Sequence, residues 1–518
     1  MPRFKYTDKS QGLFLTVNLE EQIIPGTFEW TIDYLIDKMD MSLFEQNYHN
    51  DEIGASAYPP NVLLKIILLC YSRGIISSRN MERACKDNII IKALADDFEP
   101  DHDTIATFIS TNNEAVKDLF TQILLKCSKL KLLTGEMFAI DGCKLPSNAS
   151  KEWSGKLSDL KKKKTDLEKL LNKVLFRHQE LDKDENTRKK QEPFRKTLGD
   201  DQKRRERHIR RIEKKLKKIN KFLSTAEAKI STSGQEVQTN ITDIESARIK
   251  GPHGYIQGYN GIAIADSGNQ VIVSAEAIGS GAESGCLPRM LDNLEENMKM
   301  VTGKKKPLKN SVVLGDTGYF SEENLQEAAK RKIEVIIPDP QFRKRDPCFD
   351  DREKYKETNV KKYYGIEDFQ YNEEEDTFTC PAGETLIYKC DIEFKSRGTK
   401  GKQYRLKKSI CSVCPLKGQC INRKSGKGEF RALFIAEELY EDNLSAKMRD
   451  KIDDPAYREI YSCRMQIIEP VFANMTYFKG MDKFTYRGLI KVNTQWQLYA
   501  IVHNIWKYMK GLKEKEVA

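Results

Sequence analysis

Met137 to Lys144, M-F-A-I-D-G-C-K, is the stretch on which the reading of the whole chain turns. Its apolar half ends in an acid and a glycine, the pattern of a buried central strand that delivers one carboxylate, Asp141, to a sheet edge. The glycine is expected to let the chain leave the sheet there. Asp-Gly is also an ordinary turn dipeptide, so the weight rests on whether other acids arrive in similar settings. One does: S-V-V-L-G, Ser311 to Gly315, is a second short apolar strand ending at Asp316, followed by T-G-Y-F.

The residues between and after these strands predict alternating elements. Tyr259 to Ala265 and Gln270 to Ile278 flank the turn residues Asp266 to Asn269 and read as a hairpin. Leu287 to Met300 reads as a helix, Ser321, Glu322 and Glu323 open another with acids in its first turn, and Glu334 to Pro338 is a further strand. The order describes a mixed sheet in which the strands carrying Asp141 and Asp316 lie side by side and their carboxylates converge.

From about Phe28 to Leu133 the pattern is helical. Thr31 to Met41 has apolar residues at helical spacing, Pro59 and Pro60 mark a helix start, and Val62 to Tyr71 is apolar enough to be a core helix. Ser77 and Ser78 precede a helix over Arg79 to Lys86, and Asp103 is placed to cap T-I-A-T-F-I. Such a basic bundle could dock on DNA in helix-turn-helix fashion, with Arg73, Arg79, Arg83 and Lys86 facing phosphates; a plain packing domain fits the same residues.

Past Asp141 the chain enters a charged segment, Leu157 to Leu223. Leu160, Leu167, Val174 and Leu181 recur every seventh residue, with Leu157 and Leu171 at companion positions. Ile209, Ile212, Leu216, Ile219 and Leu223 then alternate steps of three and four. Two amphipathic helices follow from this, broken at Pro193, Gly199 and Asp200 and folded into an antiparallel hairpin. Its polar face is dense in Lys161, Lys162, Lys163, Lys203, Arg204 and Arg205, which suit phosphate contact, although a solvated face explains such charge as well.

The 518 residues call for two or three domains, and 87 Lys+Arg against 77 Asp+Glu give a formal net charge of +10, which favours a polyanionic partner. The start M-P-R-F-K-Y-T-D-K has no apolar signal core, and Val62 to Cys70 is too short and too interrupted for a membrane span, so an intracellular protein away from the membrane is expected. Twelve cysteines without a signal argue for thiols or a metal site. Cys380, Cys411, Cys414 and Cys420, within the polar stretch 343–450, match a structural zinc site in kind, with buried thiols as the alternative and Cys390 as a competing ligand.

The closing helices are read as Tyr461 to Lys479, Phe484 to Val492 and Trp496 to Met509. On the first, Arg464 neighbours Ile467 and Ile468, and Glu469 sits among Ile467, Ile468, Val471 and Phe472, costly for an acid unless it is paired with Arg464 or a lysine, or binds a metal. Two strand-end aspartates and a late helical glutamate in a basic chain are what a two-metal phosphoryl-transfer site needs: hard oxygen ligands for Mg²⁺ or Mn²⁺ whose like charges tolerate burial only among cations. No Walker loop, Ser-His-Asp order or dinucleotide glycine pattern competes.

F-A-I-D-G-C-K, V-V-L-G-D-T-G-Y-F and Y-S-C-R-M-Q-I-I-E-P-V-F-A-N-M resemble the DDE transposases of bacterial insertion sequences, in particular those with a cysteine-containing insertion before the glutamate. Y-P-P-N-V-L-L-K, C-P-A-G with C-x-x-C, R-G-L-I-K-V-N and H-N-I-W-K are similar too. The resemblance implies an α/β fold with an RNase H-like core, a mixed sheet flanked by helices, in which Asp141, Asp316 and Glu469 hold two Mg²⁺ ions. Tyr461 and Arg464 match the tyrosine and arginine that precede the glutamate.

The implied domains are a helical DNA-binding domain at 1–134, the first core strand at 135–155, the basic hairpin insertion at 156–230, the core again at 231–342, the cysteine insertion at 343–450, and C-terminal core helices at 451–518. The implied activity is metal-dependent cleavage of double-stranded DNA at the terminal inverted repeats of an insertion sequence and strand transfer into target DNA, by a cytoplasmic, nucleoid-associated protein that is a homodimer in its DNA complex. A nuclease without strand transfer and a non-catalytic DNA-binding descendant are the rivals. Two positions depart from the family pattern: Ala473 replaces a glycine, and Thr476 stands where a DNA-contacting lysine is expected. Lys479, on the same helical face as Thr476, is expected to take over that contact.

Overall fold

Met137–Pro146 forms one ten-residue strand, β1, which runs through Asp141 rather than stopping at it. The computed structural model describes residues 18–48, 56–189, 196–230, 234–251, 254–349, 351–352, 363–394, 399–421, 430–436 and 444–517. The chain divides into two compact units, one of 1–318, 332–334 and 462–518, the other of 319–331 and 335–461. Among the described residues, no helix is long and apolar enough to cross a membrane.

Among the described residues, the N-terminal part of the first unit is built of the α-helices α1 (Phe28–Ile36), α2 (Ser42–Glu45), α3 (Pro60–Ser72), α4 (Ser78–Asp87), α5 (Ile89–Leu94), α6 (His102–Thr111) and α7 (Asn113–Lys129). α3 starts at Pro60 and is buried from Val62 through Tyr71. Its one charged residue, Lys65, is 4 % exposed and is matched by Asp33 at 2.6 Å and Asp37 at 2.7 Å. Ser77 caps α4, accepting the Asn80 N–H at 3.3 Å. The cap of α6 is Asp101, which accepts the Thr104 N–H at 2.6 Å, and not Asp103, which falls inside the first turn. A cap must precede the first helical residue, and this helix begins earlier than T-I-A-T-F-I implies.

α8 (Leu157–Lys189) and α9 (Lys196–Leu223) meet along one apolar seam, where Leu160 joins Ile212, Leu216, Ile219 and Phe222 under Trp153 and Ile241. Gly199 and Asp200 are helical, because the second helix already resumes at Lys196; Pro193 lies outside the described residues. Two short strands, β2 (Ser154–Gly155) and β3 (Thr239–Asn240), pair antiparallel.

The central sheet is mixed. β4 (Ala247–Gly251) pairs antiparallel with β5 (Gly254–Asp266), β5 antiparallel with β1, and β1 parallel with β7 (Val312–Leu314); β6 (Ile272–Ile278) also pairs antiparallel with β5. α10 (Leu287–Thr302) lies between β6 and β7 in the chain. The hairpin, the helix after it and the adjacency of the two aspartate strands are as the sequence predicts.

On the edge away from β5, β6 has no paired strand among the described residues, and two asparagines of the Leu489–Val517 helix bond to its backbone there, at Ile272 and Ala277. Asn504 accepts the Ile272 N–H at 2.8 Å and donates to its carbonyl at 2.8 Å; Asn493 does the same for Ala277 at 2.7 and 3.1 Å. Buried backbone groups need such partners. The predicted helix over Phe484 to Val492 starts only at Leu489, since Phe484 is fully buried and packs edge-on against Tyr259 and Trp496.

The second unit holds a five-stranded antiparallel meander of Gln370–Asn372, Thr377–Thr379, Thr385–Phe394, Thr399–Arg405 and Ala432–Ala436. Phe378, Leu386, Tyr404, Leu433 and Cys411 form its core.

Asn504→Leu strands a buried N–H and a buried carbonyl of β6 together, which is expected to cost about 2–4 kcal/mol in chemical denaturation. Unchanged stability would show that the asparagine clamp is not needed.

Candidate functional site

The parallel pairing of β1 with β7 ends at Ala139 opposite Leu314, and Asp141 and Asp316 each lie two residues further on. Equivalent positions past the end of a shared ladder bring the two side chains to one place. Asp141 Oδ2 accepts from Arg464 Nη1 at 3.0 Å and its Oδ1 from the Gly142 N–H at 2.7 Å. Asp316 Oδ1 accepts the Gly318 N–H at 2.8 Å. Burial, and then the charge of Asp141, push the Asp316 carboxyl above the usual aspartate range, against the opposing pull of the Gly318 N–H, Arg464 and Lys144.

A third acid joins them that the sequence reading missed. Glu283, in the loop G-S-G-A-E-S-G between β6 and α10, is 9 % exposed in its side chain. Its Oε1 accepts from Asn260 Nδ2 at 2.9 Å and lies 3.4 Å from Lys144 Nζ. Burial raises its carboxyl, Lys144 opposes, and the charges of Asp316 and Asp141 raise it further. Nothing in the loop's spacing marks Glu283; the available signal is Asn260, a polar residue in the middle of an apolar strand.

Two glycines make this crowding possible. A Cβ on Gly318 would sit 2.7 Å from Glu283 Oε2 and 2.9 Å from Asp316 Oδ1. A Cβ on Gly142 would sit 2.7 Å from both polar atoms of the Asn260 side chain. Gly142 therefore makes room for Asn260 inside a continuous strand and does not turn the chain out of the sheet, as its place after Asp141 implied. Asn260 is fully buried, and its Oδ1 acceptor has no hydrogen-bond partner among the described residues. Carboxylates with an unpartnered carbonyl oxygen are the donor set of a hard divalent cation, so these residues fit Mg²⁺ or Mn²⁺ in kind.

Glu469 is exposed. The buried residues of its helix, Pro455–Ala473, are Arg464, Ile467, Ile468 and Val471, a stripe at helical spacing that position 469 misses. Its apolar neighbours in sequence are thus not its neighbours in space. Tyr461 belongs to the second unit, where it packs edge-on against Phe342 at 5.6 Å. Among the described residues, no group of three or more His, Cys, Asp or Glu side chains is arranged to hold a metal ion. At the acids, Arg464 already takes one oxygen of Asp141.

Cys380, Cys411, Cys414 and Cys420 line one small cavity in the second unit. Burial raises the Cys420 thiol, the Arg431 guanidinium opposes, and Cys411, Cys380 and Cys414 lie close enough to add to the rise. The Arg431 N–H donates to Cys411 Sγ at 3.5 Å. Cys390 is exposed on the Thr385–Phe394 strand and does not line this cavity.

Of the basic candidates, Arg79 and Arg83 are exposed on α4, while Arg73 is tied to Glu29 at 2.5 Å and Lys86 to Glu82 at 2.9 Å. Lys161, Lys162, Lys203 and Arg204 are exposed, and the Arg205 side chain lies outside the described residues. Lys163 is engaged locally, bonded to the Glu152 carbonyl and 4.9 Å from the Trp153 ring centre. Lys479 is 2 % exposed and donates to Asn474 Oδ1, so its ammonium is inside the fold and not presented to a DNA phosphate. The shared α-helical face of Thr476 and Lys479 does not form, because the chain leaves the α-helix at Asn474–Phe478 for a single π-helical turn.

Residues 379–509 match the family model of a transposase DDE domain, and residues 17–111 that of a transposase domain (DUF772). The first match contains Glu469 and the four cysteines, and neither contains Asp141 or Asp316. No curated protein matches the chain.

Burial, aided by Lys507, lowers the Lys479 ammonium from its ordinary 10.5 to about 7. A lysine lowered by folding costs stability in full below pH 7, and the cost fades as pH rises toward 10.5. Lys479→Met is expected to stabilise the protein near pH 6 and to lose that advantage by about pH 10 in chemical denaturation across the range. An advantage of equal size at both ends would contradict the buried ammonium.

Proposed function

We propose that this chain, a DDE transposase of the insertion-sequence type, cleaves DNA at the terminal inverted repeats of its element and joins the released ends to target DNA. The observation that carries the reading is the register of β1 and β7, which sets Asp141 beside Asp316. In this proposal the sheet is an RNase H-like core, and Asp141, Asp316 and Glu469 hold two Mg²⁺ or Mn²⁺ ions. When bound, such ions help an attacking oxygen and stabilise the leaving oxygen of a phosphodiester, first in hydrolysis and then in attack by the new 3′-hydroxyl.

The chain's own groups have definite parts in this scheme. Arg464 holds Asp141 through Oδ2 and offsets its charge. Lys144, a third exposed, offers an ammonium beside the acids on which a phosphate can rest. Arg79 and Arg83 on α4, with Lys161, Lys162, Lys203 and Arg204 on the paired helices, supply exposed charge for the double-stranded backbone. Holding two element ends together requires at least a homodimer on DNA.

The cysteines belong to a separate proposal. Cys380, Cys411, Cys414 and Cys420 hold one structural Zn²⁺, supported by their convergence on a single cavity and by the N–H donated to Cys411 Sγ. Elemental analysis of the full chain purified without chelator is expected to give about one zinc per chain, lost in Cys411→Ser with Cys414→Ser. A metal-free chain with four freely reactive thiols contradicts it.

Asp141→Asn and Asp316→Asn are each expected to lower end cleavage by about a thousandfold or more, with binding to end DNA retained. Pre-cut ends should be joined to target DNA by the unaltered chain. Hydrolysis without joining would turn the reading to a nuclease, and unchanged cleavage in both variants would remove the catalytic reading.

A further inference from the structure

Glu283 is held as few surface acids are. It is nearly buried, its Oε1 is fixed by Asn260 Nδ2 at 2.9 Å and by Lys144 Nζ at 3.4 Å, and its Oε2 faces the same small space above Gly318 as Asp316 Oδ1. Asn260 is itself fully buried at the centre of β5, opposite Lys144 of β1; its Nδ2 and its Oδ1, the latter without a hydrogen-bond partner among the described residues, both lie against Gly142.

A counter-ion for Lys144 needs only one oxygen, and Lys144 is exposed enough to be solvated. The second oxygen is what requires explanation. Two carboxylate oxygens pressed against one glycine repel each other, and proteins retain such pairs where a cation lies between them. Gly318 is the device that keeps the space open, since any side chain there would overlap both oxygens.

We infer that Glu283 is a further carboxylate ligand of the site, sharing a divalent cation with Asp316, and that Asn260 is the positioning residue that aims it. This rests on the reading that the site binds a divalent cation, and it adds to that reading a ligand from the loop between β6 and α10. Asn260 gives the loop a fixed point on the rigid strand next to β1, so that the acid is set before the cation arrives.

The test is Mn²⁺ binding to the full chain in the absence of DNA, followed by calorimetry and by the electron paramagnetic resonance of free Mn²⁺, with unfolding temperature as a check on folding. Glu283→Gln is expected to weaken Mn²⁺ binding about 10- to 100-fold, as Asp316→Asn does, and Glu283→Asp to recover part of the loss. Asn260→Leu, which keeps Glu283 but frees it, is expected to weaken binding by a smaller factor. Gly318→Ala should weaken binding with Glu283 and Asp316 both present. Wild-type affinity in a folded Glu283→Gln chain, with Asp316→Asn impaired, overturns the assignment of Glu283 and leaves the cation reading standing. Wild-type affinity in Asp141→Asn, Asp316→Asn and Glu283→Gln alike overturns both.

Discussion

Mutual repulsion among Asp141, Asp316 and Glu283 is the constraint around which the first unit is arranged. The β1–β7 register forces the two aspartates together, and the β6–α10 loop brings the glutamate to them. Burial raises the carboxyls of Asp316 and Glu283, and the charge of Asp141 adds to the rise of both. The fold answers with local compensation: Arg464 on Asp141, Lys144 on Glu283, and backbone N–H groups of Gly142 and Gly318 on the aspartates. An arrangement that costs stability in the free chain suits the proposed cation site.

Holding that arrangement demands a stiff support, and the C-terminal helix provides it. Trp496 lies against Gly261 of β5 and donates its indole N–H to the Ile262 carbonyl at 2.9 Å, while Asn493 and Asn504 complete β6. β5, gripped from that side, is the strand that registers β1 across nine residue pairs from Phe138–Asp266 to Pro146–Gly258. Asn260 and the pairing partners of Asp141 are therefore fixed by residues more than two hundred positions away in sequence. In R-G-L-I-K-V-N and H-N-I-W-K, the asparagines Asn493 and Asn504 serve this backbone pairing.

Much of the fold was legible because its signals are local. An apolar run ending in an acid identified both aspartate strands, and turn residues between β-branched runs identified the β5–β6 hairpin. The paired heptads of α8 and α9 predicted their shared seam. What failed was inference from sequence neighbours to spatial neighbours: Glu469 has apolar residues on either side yet is exposed, and Lys479 looks like a free surface lysine yet is buried. Glu283 was invisible for the opposite reason, since a glycine-rich loop has no period and its meaning comes only from Asn260 and Gly318 in space. The match to the transposase DDE domain covers Glu469 and stops short of the aspartates, so their assignment depends on the sheet.

The most direct test of the account is the anomalous diffraction of Mn²⁺ in crystals of the full chain. The account predicts a peak within ligating distance, about 2.0–2.3 Å, of Asp141, Asp316 and Glu283 oxygens, with Arg464 displaced from Asp141 Oδ2. Mn²⁺ bound elsewhere, or no peak at these carboxylates at saturating concentration, would contradict it.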